Sequence, residues 1–293
     1  MTTLPEETPA NDSSSPVDHD VAVAGGGAAG LAAAVFTARY GLDTVVFDGG
    51  KAAITQCAHI ENYLGFPGGI APDRFLELGR AHATHEGATM VDERVTAVDR
   101  HDASGFVVET TDQPVVADRV VIAAAYDAEV LDRLAEELPS PDPFAPTEGG
   151  RTNVDGLYVA GWMSDETVHQ VGVNAGHGAR AGLALARDDM SERYWPAVGD
   201  RYVDWVVHDG RYGGDGWDEH VDEWFDDEML PEEHDLDKTT VDAARTDLKT
   251  EFLGRCIDTE ERRRRDRDGQ RQLLTHLDDD LIREHAETLD QRP

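Results

Sequence analysis

A chain of 293 residues has room for one large domain or two modest ones, and its formal charge of −34, from 60 acidic against 26 basic residues, restricts what it can meet. A surface this acidic argues against nucleic acid and anionic membranes as partners. No apolar run is long enough to span a bilayer and no secretory signal pattern opens the chain, so a cytoplasmic protein is expected. Cys57 and Cys256 lie far apart and form no C-x-x-C, which leaves no disulfide framework.

Residues 1–18, rich in Pro, Ser, Thr and acids, read as a disordered tail. An apolar run from Val21 to Ala24 then leads into Gly25-Gly26-Gly27-Ala28-Ala29-Gly30, followed by an alanine-rich helical pattern to Tyr40 and a second apolar run, Thr44 to Phe47, that ends at Asp48. Strand, glycine turn, helix, strand and acid make up the full context of a dinucleotide fingerprint. In such a turn Gly25 permits the tight bend, Gly27 lets a pyrophosphate approach the backbone, and Gly30 lets the helix lie close to the strand. The helix N-terminus offers unpaired N–H groups to the anion, and Asp48 is placed for ribose hydroxyls, which suits FAD or NAD better than NADP. The bland alternative is a tight strand–helix turn that binds nothing.

Residues 49–70 contain clustered Gly and Pro and read as a long functional loop. Pro72 starts a helix that runs to Glu86, with Gly87 ending it. Strand-like runs follow at Met90–Val98, Phe106–Glu109, Pro114–Val116 and Arg119–Ala124, a small antiparallel excursion that returns to a parallel sheet at Val120-Val121-Ile122. Residues 127–137 carry a short helical pattern, Pro139 to Pro146 a rigid connection, Leu157–Ala160 another buried strand, and Gln170 to Arg187 a helix. Beyond Met190, Trp195, Trp205, Trp217 and Trp224 fall among dense acids, and residues 237–290 have helical spacing with no strand signal. The division expected is a nucleotide-binding domain over 19–190 and an acidic helical extension over 191–293 that packs on it or serves an oligomer interface. The arginines from Arg262 to Arg265 sit among Glu260, Glu261, Asp266 and Asp268, which favours a solvated, salt-bridged helix face over a nucleic-acid patch.

The loop HIENYLGFPGGI (His59–Ile70) resembles the segment that follows the FAD fingerprint in the thioredoxin reductase family, and the segment from Gly150 to Ala186 resembles that family's second flavin motif. The resemblance covers roughly residues 19–188. It implies a Rossmann-like FAD-binding fold in which Gly25, Gly27, Ala28 and Ala29 meet the pyrophosphate and Asp48, Gly49 and Gly50 lie at the ribose. It further implies that Asn62 stands beside the flavin ring, that Val95 meets the adenine through its main chain, and that Gln170 and Val171 open a helix facing the pyrimidine edge. Three departures accompany the resemblance. Trp162, after Gly161, replaces the family's aspartate; Ala123-Ala124-Ala125 followed by Tyr126 replaces its A-T-G strand end; and only Tyr126 to Gly150 fills the interval where a complete reductase carries its NADPH domain and redox C-x-x-C. That interval is short of the ~30 residues a single βαβ unit needs. Trp162 either stacks on or shields the flavin, or marks its loss; one charged contact is worth about 1.5–3 kcal/mol.

Among groups that bear chemistry, Cys57 and His59 share the flavin-side loop, as a thiolate able to contact flavin and as an acid or base, against the plainer roles of packing and backbone hydrogen bonding. His169 precedes Gln170 and His177 lies two turns into its helix, as acid–base candidates near the flavin against the plainer roles of helix-end packing or surface exposure. His82 and His85 share a helix face but lack a third ligand nearby, so no metal site is expected. The reading is an α/β, single-domain FAD-dependent oxidoreductase, with NAD as the alternative nucleotide. It is reduced by a diffusing nicotinamide or a separate protein donor, and a homo-oligomer is among the open arrangements. The alternatives are a non-catalytic FAD- or NAD-binding module, in which the nucleotide has a structural or redox-sensing role, and an interaction protein acting through its helical tail. The abundant acids and scarce lysines (Lys51, Lys238 and Lys249) resemble proteins of salt-in halophilic archaea. Because salt screens self-repulsion, the melting temperature should rise by at least ~5 °C between ~0.2 M and ~2 M KCl; a flat or falling profile in scanning calorimetry would refute the halophilic reading.

Overall fold

Strand β1 (His19–Ala24) occupies the middle of a seven-stranded sheet because its last four residues, Val21 to Ala24, are small or β-branched and buried on both faces. The computed structural model describes residues 17–125, 128–138, 148–164, 168–209, 216–231 and 234–290. The predicted tail up to residue 16 and the proline-rich connection from Pro139 lie outside them, as does Tyr126.

Helix α1 (Ala28–Tyr40) returns the chain to β2 (Thr44–Phe47), which pairs parallel to β1. Helix α2 (Pro72–His85) crosses over to β3 (Thr89–Val91), parallel to β2. Strands β4 (Val95–Arg100) and β5 (Phe106–Thr110) form the antiparallel excursion, and β6 (Val115–Ile122) rejoins the sheet parallel to β1. Strand β7 (Leu157–Val159) pairs parallel to β6, giving the order β3-β2-β1-β6-β5-β4 with β7 beside β6. The α/β reading with its small antiparallel excursion therefore holds.

Several boundaries differ. The run Met90–Val98 is two strands, because Asp92, Glu93 and Arg94 interrupt it and let β3 join the parallel half while β4 joins the antiparallel half. The runs ending at Val116 and starting at Arg119 are one strand whose single edge has two tenants: Val115 to Ala117 pair with β5 and Val120 to Ile122 with β7. The helical pattern near residue 130 is a 3₁₀ segment, Ala128–Leu134.

The two sheet faces bury alternate residues. One set (Ala22, Val45, Phe47, Val120 and Ile122) packs with Phe106 and Val108 of β5 and with Val130, Leu131 and Leu134 of the 3₁₀ segment. The other (Val21, Val23, Val46 and Val121) packs beneath α1 and α3 (Val171–Arg193). Those two helices approach to backbone contact: a Cβ at Gly178 would lie 1.9 Å from the Ala29 carbonyl oxygen, and one at Gly182 2.7 Å from that of Ala33.

The chain divides into two units at Leu185/Ala186. The second holds the end of α3, then α4 (Pro196–Arg201), α5 (Trp217–Trp224) continuing through a π turn to Met229, α6 (Lys238–Gly254), α7 (Thr259–Leu274) and α8 (Asp279–Asp290). Its core gathers Trp195, Val198, Tyr202, Phe225, Met229 and Leu248, with the Trp195 indole N–H donating to the Met229 carbonyl at 2.6 Å. A short parallel pair, β8 (Val207–His208) with β9 (Cys256–Ile257), corrects the expectation of no strand after residue 237; two residues are too few to leave an alternating pattern. Among the described residues no helix is long and apolar enough to cross a membrane.

Gly178→Ala should cost about 1–3 kcal/mol of stability through overpacking. Gly176→Ala in the same helix, where an added Cβ meets nothing, should be neutral or stabilising by up to ~1 kcal/mol. Denaturant unfolding of the pair in high salt reads the difference.

Candidate functional site

The C-terminal ends of β1 and β6 lie side by side, with the Ala123 N–H donating to the Ala24 carbonyl at 2.9 Å. Between β1 and α1 the chain turns at Gly25, whose φ of +123° and whose 2.6 Å clearance between a would-be Cβ and the Ala123 oxygen both demand glycine. A Cβ at Gly26 would strike the Asp48 carboxyl group, whereas one at Gly27 would meet only Ala52, at 3.8 Å, so the space over Gly27 is open. Gly27 is the N-cap of α1 with no side-chain cap, and the first turn holds no acid. Ala28 and Ala29 therefore present uncapped N–H groups and the positive end of the helix to that open space. Gly30 lies below, where a Cβ would fall 1.8 Å from the Gly25 oxygen.

The Asp48 carboxylate is already engaged. Its Oδ1 accepts the Gly50 N–H at 2.9 Å and its Oδ2 accepts Arg80 Nη1 at 2.6 Å, while Arg80 Nη2 reaches Asp92 at 2.6 Å. Burial works against the Arg80 charge, but the bonds to Asp92 and Asp48 outweigh it and raise its pKa above the ordinary value. A carboxylate has about four acceptor positions, so Asp48 keeps capacity for a ribose hydroxyl. No sequence pattern marks Arg80, which lies far from Asp48 along the chain and is brought to it only by the α2 crossover.

The loop after Asp48 has its own small core: Ile54, Ile60 and Ile70 packed with Tyr63, Phe66 and Phe75. Ile60 and Ile70 exchange two backbone hydrogen bonds of 2.9 Å. This clip presents Asn62, whose Nδ2 donates to Gln170 Oε1 at 2.7 Å. The two motif ends on which the family resemblance rests thus meet in space. The Gln170 carbonyl accepts both the backbone N–H and the side-chain Nδ2 of Asn174, each at 2.9 Å, the first being the opening i→i−4 bond of α3. Asn174 Oδ1 is buried with no hydrogen-bond partner among the described residues.

Gly25 to Ala29, Asp48, Gly49, Val95, Gly161, Trp162 and Val171 all line one open cleft of about 360 Å³, together with Lys51, Cys57, Arg94, His169 and Asn174. Gly30, Gly50, His59, Asn62 and Gln170 do not line it, and His59 lies 3.8 Å from Glu61. Val95 opens β4 and is buried. Trp162 stacks on His169, with ring centroids 4.3 Å apart. Ser164 donates its hydroxyl to the Gly161 carbonyl at 2.7 Å and lies 2.8 Å from His177 Nδ1; with the one hydroxyl proton so used, that nitrogen is the donor. Cys57 is an exposed free thiol at the cleft. His82 lies 3.8 Å from Glu86, and no group of side chains among the described residues is arranged to hold a metal ion.

Residues 19–131 match the family of pyridine nucleotide-disulphide oxidoreductases. The thioredoxin reductase of Streptomyces coelicolor is 35% identical over 96 residues, 32% of this chain and 29% of that protein. NADPH-dependent thioredoxin reductase 3 of Arabidopsis thaliana is 31% identical over 124 residues, 40% of this chain and 23% of that protein. The match thus spans under a third of the length of these two curated relatives. The solved thioredoxin reductase of Gloeobacter violaceus shares the fold, with a TM-score of 0.54 at 19% identity over 65% of this chain and 99% of its own. The first unit has a Rossmann-like fold similar to that of the thioredoxin reductases, a family that binds FAD.

Replacing Arg80 by Met and Asp48 by Asn, singly and together, should return a coupling energy of about 1 kcal/mol in denaturant unfolding at low salt. Additive single effects would show that the pair does not hold Asp48 in place.

Proposed function

We propose that this chain binds FAD in the cleft over Gly27 and acts as a single-domain oxidoreductase, reduced by a diffusing nicotinamide or a separate protein. The observation that carries the reading is the convergence of two helix starts, α1 after Gly27 and α3 at Val171, on one cleft that Asp48 also lines. The groups present fit the cofactor. The room above Gly27 suits a pyrophosphate, the buried Asn174 Oδ1, unpartnered among the described residues, suits a donor from a ligand, and a cleft of about 360 Å³ falls within the range of pre-formed cofactor sites.

In this reading the N–H groups of Ala28 and Ala29 hold the pyrophosphate, and Asp48, steadied by Arg80 and Gly50, accepts from the ribose. Val95 lies against the adenine. The Asn62–Gln170 amide pair fixes the loop beside the ring, and Val171 at the start of α3 directs a positive helix end at it, which favours negative charge there. Trp162, held by His169, covers the position where relatives carry an aspartate and shields that end from water. When bound, FAD supplies the acceptor for two electrons delivered as hydride by a reduced nicotinamide. The donor is proposed as external because only residues 123–156 separate β6 from β7; that one relative is NADPH-dependent by name supports a nicotinamide. A second reading, a non-catalytic FAD module, is favoured by the same Trp162–His169 stack, since a covered ring is hard for a donor to reach.

Protein purified in ~2 M KCl should show the visible band of oxidised flavin, or acquire it on adding FAD, and should bleach anaerobically with NADH or NADPH. Gly27→Val, whose backbone is already extended at φ −83°, should fold normally and weaken FAD at least ~10-fold. A band that neither donor bleaches would shift the assignment to the non-catalytic module, and a colourless protein that takes up no FAD would overturn both readings.

A further inference from the structure

Helices α7 and α8 end the chain in a way the rest of the molecule does not explain. Neither buries a side chain among the described residues, although at 1.5 Å per residue they are about 24 and 18 Å long. Around the turn between them lies a run of exposed leucines: Leu273, Leu274 and Leu277, about half exposed, and Leu281, 64% exposed. Leu281, His285 and Leu289 continue the stripe along one face of α8, at i, i+4 and i+8. Exposed leucines in this density are unusual on a surface otherwise crowded with carboxylates.

The charges on either side of this stripe are sorted. On α7 Arg264 and Arg265 share Glu261, and Arg264 and Arg271 share Asp268, while Arg262, Arg263 and Arg267, and the acids Glu260 and Asp266, have no ion-pair partner among the described residues. On α8, Arg283 is neutralised by Asp279 and Asp280, while Glu284 and Glu287 have no ion-pair partner among the described residues. The segment is thus a net basic helix of six arginines and four acids, an apolar centre, and a net acidic helix of five acids and one arginine. Such an order is self-complementary: turned by a two-fold axis through the leucines, the basic arm of one copy faces the acidic arm of the other.

We propose that α7 and α8 form an isologous dimer interface with a second copy of this chain, Leu273 to Leu281 at its centre and Arg263 and Arg267 of one protomer against Glu284 and Glu287 of its partner. The two-fold arrangement satisfies both arms at once and covers the leucines without a further element. An anionic membrane or nucleic acid would satisfy the arginines but repel Glu284 and Glu287, and so fits only half of the surface.

The test is molar mass by light scattering on the full chain at micromolar concentration, independent of whether the protein is coloured. The parent should show twice the chain mass. Arg263→Glu with Arg267→Glu makes both arms acidic, and Glu284→Arg with Glu287→Arg makes both basic; all four positions are exposed helix sites that accept these residues. Each double variant alone should be monomeric at concentrations where the parent is dimeric, a loss of at least ~10-fold in affinity. An equimolar mixture should recover the dimer mass, because each arm then again faces its opposite. A monomeric parent overturns the proposal, as does a parent dimer that both double variants retain, or a mixture that stays monomeric while its components keep the parent's helical circular dichroism.

Discussion

Everything at the cleft depends on how closely α3 can lie against α1. The sheet fixes where α1 starts, because Gly25 must follow β1 directly. The start of α3 is fixed instead by contact: Gly178 and Gly182 bring its backbone against the carbonyls of Ala29 and Ala33. A methyl group at either glycine would push the helix outward and carry with it Gln170, Asn174 and Val171. Two helix N-termini can then act on one ligand because four small residues let their backbones touch.

The acidic side of the cleft is held by a different means. Asp48 leaves the end of β2 and would repel Asp92 across the start of the β3–β4 link, but Arg80 stands between the two carboxylates. In a chain with more than twice as many acids as bases, each arginine placed in this way is costly to move. Arg255 has a similar role in the second unit, where it joins the Tyr202 hydroxyl, the Val203 carbonyl, Asp204 and Glu251. Burial is the leading influence on Glu251 and raises its pKa above the usual carboxylate range despite that arginine. Net charge belongs to the surface, while position depends on a few well-spent cations.

Reading the sequence alone recovers the parts of this architecture that are local. The glycine turn, α1, β2 and Asp48 follow from period, punctuation and spacing, and the family resemblance of the loop and the late glycine-rich segment brings Asn62 and Gln170 to one place, where they share a hydrogen bond. What escapes is set by tertiary contact. The split of Met90–Val98 into β3 and β4 depends on which neighbour each half finds, and the fusion of two runs into β6 depends on one edge serving two partners. Arg80 and Asn174 carry no motif; one is recruited by a crossover and the other by the opening turn of α3. The pair β8–β9 is too short to leave any pattern at all.

The bond between Asn62 and Gln170 also has a consequence in time. A chain emerging from the ribosome can assemble β1 to β6 and the clipped loop while the residues that complete the cleft are still unmade, since every partner of those strands except β7 precedes them. During that interval Asn62 has no Gln170, the space over Gly27 lacks its α3 wall, and the β6 edge at Val120 to Ile122 is uncovered. The last pieces of the first unit to be synthesised are therefore the ones that close it. A nucleotide arriving early would meet a half-built shelf, and one arriving after α3 has docked would meet the finished cleft.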